Sequence, residues 1–129
     1  MSAKINIISS LVFLVLLTSF SFNDAENLRK KHFNTSNNLA IKGYDPVAYF
    51  TSNKAILGDK KYAVKANGIL YYCSSASNMK LFLQNYNKYE PQFGGWCAYA
   101  MGNSGEKVSI DPKTFKLING KLYLFYNLL

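Results

Sequence analysis

Two stretches of the chain alternate apolar and polar residues on either side of an Asn-Gly pair, and they set the expected fold. Lys61 to Ala66 and Ile69 to Ser74 read as strands joined by Asn67-Gly68, a dipeptide that tolerates the positive φ of a tight type I′ turn. Phe115 to Ile118 and Lys121 to Tyr126 repeat the design around Asn119-Gly120. Between the hairpins the period lengthens. Met79, Phe82, Leu83 and Tyr86 recur at three- and four-residue spacing, which predicts a helix ending near Tyr86 with Ser75 or Ser77 as its cap. Val47 to Phe50 reads as a short extended segment behind the turn Gly43-Tyr44-Asp45-Pro46, and Trp96 to Met101 as a short apolar strand. The prediction is an α+β domain over residues 39–127, a small antiparallel sheet from the two Asn-Gly hairpins with one packed helix.

The N-terminal pattern is different. After Met1 and Lys4, an apolar run from Ile5 to Leu17 is interrupted only by Asn6, Ser9 and Ser10, and Ser19-Phe20-Ser21 offers a small-x-small cleavage site before Phe22. The run is shorter than the roughly eighteen residues of a membrane-spanning helix. Residues 1–21 therefore read as a signal peptide, with no stable transmembrane span, and the expected address is periplasmic or secreted. Residues 22–38 are rich in Asn, Lys and Ser and offer few large apolar groups, so they read as a flexible tether. His32, the only histidine, falls in that segment and reads as an ordinary exposed side chain.

Charge narrows the function classes. The formal charge is +8, but the lysines lie singly or in pairs and Arg29 is the only arginine, so no basic face of the kind that tracks phosphates is indicated. Nucleic acid is excluded as an expected partner. Catalysis finds few parts, since Asp45, Asp59, Glu90, Glu106 and Asp111 are scattered singly and the domain proper has no histidine. A non-catalytic role is expected.

The segment Pro91-Gln92-Phe93-Gly94-Gly95-Trp96-Cys97-Ala98-Tyr99-Ala100-Met101 carries the densest chemistry. Cys97 and Met101 are soft sulfur donors of the kind Cu(I) selects, and Cys73 is a third candidate metal ligand. Copper is the leading cofactor expectation. Zinc is less apt, because it usually takes four Cys or His ligands. The two cysteines leave three alternatives open: a disulfide, two structural thiols, or a Cys97 metal or redox site. Aromatic residues make up 16% of the chain, and most of them sit in predicted strands where they suit a core. Around Gly94-Gly95-Trp96 they can instead line a pocket, so the alternative to copper is a metal-free module binding a small ligand or a protein.

These residues also carry a family resemblance. Ile41-Lys42-Gly43-Tyr44-Asp45-Pro46-Val47-Ala48-Tyr49-Phe50, the run from Tyr71 to Tyr89, the Gly-Gly-Trp-Cys-Ala-Tyr-Ala segment and the ending from Asp111-Pro112 to Tyr126-Asn127 together resemble an exported YHS-domain protein. The resemblance implies a metal-binding module of the sort that accompanies copper-transporting ATPases and some hydroxylases. In YHS domains of the two-cysteine type, however, cysteines stand where this chain has Ala48, Ser74 and Asn78, and an aromatic residue stands at the position of Cys73. Only Cys97 fits the pattern of the exported branch. Relatives of this kind continue past the Tyr-Asn into a further helix. The chain resembles a shortened member, whose final hairpin is expected to lack cover and to invite self-association.

Overall fold

A computed structural model describes residues 22–127, so the expected leader, residues 1–21, lies outside the described residues. Helix α1 covers residues 22–32. It leads into two very short strands, β1 (Thr35–Ser36) and β2 (Leu39–Ala40), and then helix α2 (Ala48–Thr51). The first long hairpin follows as β3 (Ala63–Ala66) and β4 (Ile69–Tyr72), then helices α3 (Ala76–Gln84), α4 (Tyr86–Tyr89) and α5 (Ala98–Asn103). The chain finishes on β5 (Asp111–Ile118) and β6 (Lys121–Phe125).

The class is α+β, and both hairpins form as their turns require. Asn67 and Gly68 have φ of 45° and 87°, and Asn119 and Gly120 have 51° and 72°, the positive pair of a type I′ turn. Helix α3 begins where Ser75 Oγ accepts from Asn78 N at 3.0 Å. It stops at Gln84, short of the expected Tyr86, and the chain restarts as α4 after Asn85. Phe82 is buried but Leu83 is exposed, so the inward stripe is narrower than the sequence spacing implies.

Four expectations are corrected. The hairpins do not share one antiparallel sheet. Strands β1-β2-β4-β3 form a mixed sheet in which β2 runs parallel to β4, while β5 and β6 form a separate pair. Leu39 pairs with Leu70, and Leu70 N donates to Asn38 O at 2.8 Å, so a two-residue strand takes the free side of β4. The hairpin joins through side chains instead. Tyr49, fully buried, stacks edge-on against Phe115 at 4.8 Å, and its hydroxyl donates to Pro112 O at 2.8 Å.

The expected tether is the second correction, because α1 and the segment after it pack on the domain. Arg29 Nε donates to Asn67 O at 3.2 Å, and its guanidinium lies 4.4 Å over the Phe33 ring. Third, Val47 to Phe50 is helical: Asp45 Oδ1 accepts from Val47 N at 2.8 Å and Ala48 N at 3.3 Å, which satisfies donors that a helix start leaves free. Fourth, the segment after Trp96 is helix α5, whose Ala98, Ala100 and Met101 are good helix formers. An extended strand there would need a sheet edge, and Cys97 N is already bonded to Val108 O at 2.9 Å.

One core serves both sheets, with Tyr49, Ile69, Tyr71, Phe82, Leu122 and Leu124 fully enclosed. Leu122 and Leu124 tie the last hairpin into this core. Its turn end does present Leu117 and Ile118 to solvent. No helix among the described residues is long and apolar enough to cross a membrane.

Candidate functional site

Of the three expected metal ligands, two lie in the core and the third lines a surface cleft. Cys73 and Cys97 are free thiols, so no disulfide joins them, and both belong to the hydrophobic core at 0% and 4% exposure. Burial, with the Asp45 carboxylate nearby, pushes the Cys73 thiol up to about 12, which keeps it protonated and a poor metal ligand at neutral pH. Met101 is half-buried on α5. Its N–H donates to Cys97 O at 3.0 Å, yet Met101 lines a surface cleft that neither cysteine lines.

That cleft, about 240 Å³, is walled by His32, Phe33, Phe93, Gly94, Trp96, Met101 and Lys107. A left-handed turn builds its floor. Phe93, Gly94 and Gly95 have φ of 57°, 62° and 84°, a run that only glycine adopts freely, which accounts for the pair at 94 and 95. Asn34 fastens this turn twice, donating from N to Gly94 O at 2.9 Å and from Nδ2 to Gly95 O at 3.0 Å. A Cβ on Gly94 would lie 3.3 Å from Phe33 Cα, so the backbone of the segment after α1 presses directly on the turn.

Polar groups on the rim are held in place. Trp96 Nε1 donates to His32 O at 2.7 Å, which caps a carbonyl at the end of α1. Lys107 Nζ lies 3.2 Å from His32 Nδ1 and 5.8 Å from the centre of the Trp96 ring. An ammonium can only donate, so this contact assigns Nδ1 as the acceptor and leaves Nε2 as the ring's donor. His32 is exposed as expected, but it is a wall of the cleft rather than a bystander on a tether. Sequence spacing could not show this, because His32 and Lys107 meet only once α1 is packed. The one legible signal was Gly94-Gly95-Trp96, the centre of the expected aromatic pocket.

A second polar cluster lies inside. Asp45 is fully buried, and its Oδ2 accepts from Ser74 N at 2.7 Å, Ser74 Oγ at 2.6 Å and Asn78 Nδ2 at 2.8 Å, while Oδ1 takes the two amides that start α2. Five donors on two oxygens satisfy the carboxylate within the fold. Glu90 is likewise consumed, accepting from Arg29 Nη2 at 2.9 and 2.8 Å and from the Tyr71 hydroxyl at 2.5 Å. Among the described residues no three His, Cys, Asp or Glu side chains converge as they would around a metal ion. Comparison with protein-family models, curated proteins and solved structures found no match.

Proposed function

We propose that the chain is a non-catalytic, exported binding module of the YHS kind, which holds a small ligand in the cleft beneath Trp96. The observation that carries this reading is the cleft's make-up: three aromatic rings and a thioether around a few fixed polar groups, the composition of a small-molecule site. The lack of a catalytic role is supported by how the acids are used. Asp45 and Glu90 are both saturated by internal donors, and among the described residues the imidazole of His32 has no carboxylate partner to orient it.

The YHS resemblance draws support from Ala48, Ser74 and Asn78. These positions, which carry cysteines in the two-cysteine type, meet here around one atom group, the Asp45 carboxylate. A hydrogen-bonded knot therefore occupies the place of a thiolate site, and a metal would find no free donor in it.

Copper, the leading expectation from Cys97, Met101 and Cys73, becomes the second reading, favoured by one observation: the Met101 thioether, a soft donor, opens into the cleft. The neighbouring Lys107 ammonium opposes a cation there. Competition of reduced protein against a chromophoric Cu(I) chelator separates the two readings. The small-ligand reading expects no stoichiometric Cu(I) uptake; uptake of about one equivalent, abolished by Met101→Leu, establishes the copper reading in its place.

A further inference from the structure

Charge, shape and donor placement in the cleft go further than its composition, and the argument rests on the cleft being the binding site. Phe33, Phe93, Trp96 and Met101 supply an apolar slot of about 240 Å³, room for a single-ring body but not for a nucleotide or a peptide. The polar rim carries one sign only. Lys107 brings a positive charge, His32 presents an Nε2–H donor because Nδ1 is engaged by Lys107, and among the described residues no carboxylate lines the cleft. The carbonyl of His32, the group at the end of α1 that would repel an anion, already accepts from the Trp96 indole. A cation entering the slot would meet Lys107 with no counter-charge, whereas a carboxylate would find an ammonium with unused protons and an imidazole N–H beside it.

We infer that the cleft selects a small monocarboxylate with a planar apolar body, with Lys107 reading the charge, His32 supplying a second donor, and the rings of Phe93 and Trp96 holding the body. Trp96 is the only tryptophan, so its fluorescence reports occupancy of this cleft and no other. The experiment titrates the protein at fixed ionic strength with three probes of one shape: benzoate, benzamide and benzylamine. Benzoate should change Trp96 emission saturably, benzamide should bind about fivefold more weakly, and benzylamine more weakly still. Lys107→Gln should lower benzoate affinity to the benzamide level and leave benzamide unchanged. Lys113→Gln, a change of equal charge on the exposed end of β5, should leave both unchanged. Benzamide binding as tightly as benzoate, or equal loss of benzoate in the two lysine variants, overturns the anion assignment while keeping the cleft as a binding site. No saturable response to any of the three probes overturns the cleft reading itself.

Discussion

Arg29 and Glu90 stand sixty-one positions apart in the chain, and Nη2 of the arginine meets both oxygens of the glutamate at 2.9 and 2.8 Å. This contact turns a polar N-terminal segment into part of the domain. Arg29 also reaches the turn of the first hairpin at Asn67 O, and Glu90 holds the Tyr71 hydroxyl at 2.5 Å, so the pair links α1, β4 and the end of α4. The side chains are 25% and 9% exposed, which leaves the pair partly screened.

Removing the arginine should therefore free α1 and leave a nearly buried carboxylate without its counter-charge. Arg29→Ala is expected to lower stability by about 2 kcal/mol, below the loss for a fully buried pair because Arg29 is partly solvated. Denaturant unfolding gives the magnitude. Limited proteolysis gives the location: cleavage should appear between α1 and β1 in the variant under conditions where the unmodified protein is intact. Equal proteolysis of both would show that α1 does not depend on the clamp.

Alkaline pH should weaken the fold through three buried groups. The Cys73 thiol is raised from its ordinary 9.0 to about 12 by burial and by Asp45. Tyr71 is raised well above its ordinary 10.0 by burial and by Glu90, with partial relief from Arg29, and Tyr49 is raised by burial and then by Tyr44, Asp111 and Asp45. A raised value in the folded state means that the unfolded chain releases the proton first. The stabilising contribution is whole below the ordinary values and is lost as pH climbs through the folded ones. Stability should fall steadily above about pH 9, and Cys73→Ala should remove the earliest part of that slope. At neutral pH, Cys73 should resist alkylation until the protein is unfolded.

How much of this could be read from the sequence depended on the range of the interactions. Asn67-Gly68 and Asn119-Gly120 state their turns locally, and Ser75 states a helix start, so the hairpins and α3 were legible. Strands β1 and β2, two residues each, carry too few side chains to show a period, and only the open edge of β4 makes Leu39 a strand residue. The runs after Asp45 and Cys97 predict strands and form helices, because short apolar runs do not distinguish the two periods. At the site, Gly94-Gly95-Trp96 pointed to the cleft, whereas His32 and Lys107 could not be joined to it without knowing that α1 packs there. Cys97 was the most visible candidate and lies in the core, as free cysteine commonly does.

Two glycines offer opposite outcomes from the same substitution. Gly58 lies where its N–H reaches Gly43 O at 2.8 Å, and a Cβ added there would run into the backbone carbonyl of Tyr72. A carbonyl in a strand cannot swing aside as a side chain can. Gly58→Ala should cost roughly 3 kcal/mol or more and loosen the connection between α2 and β3. Gly102 sits inside α5 with ordinary backbone and open space around its missing Cβ, so Gly102→Ala should stabilise by about 0.5–1 kcal/mol. Thermal melts of the two variants should move in opposite directions, and a matched fall in both would mean that the space around Gly102 is not open.

The Asp45 knot makes the sharpest claim about side-chain chemistry, because each of its oxygens faces only donors. Asp45→Asn keeps the shape but replaces one acceptor by an NH₂ group, and either orientation of the amide turns donors against donors. If the amide nitrogen faces Val47 and Ala48, the start of α2 loses its acceptor; if it faces Ser74 and Asn78, the link between β4 and α3 opens. The expected loss is about 2–4 kcal/mol, the scale of a buried charge-assisted network left unsatisfied. Asn78→Ala removes a single donor and should cost about 1 kcal/mol. In the double variant the two losses should not add, since Asn78 no longer opposes the new amide, and a double-mutant cycle by denaturant unfolding measures that coupling. Strict additivity would mean that Asp45 and Asn78 act independently, and the three positions 48, 74 and 78 would then be neighbours without being a unit.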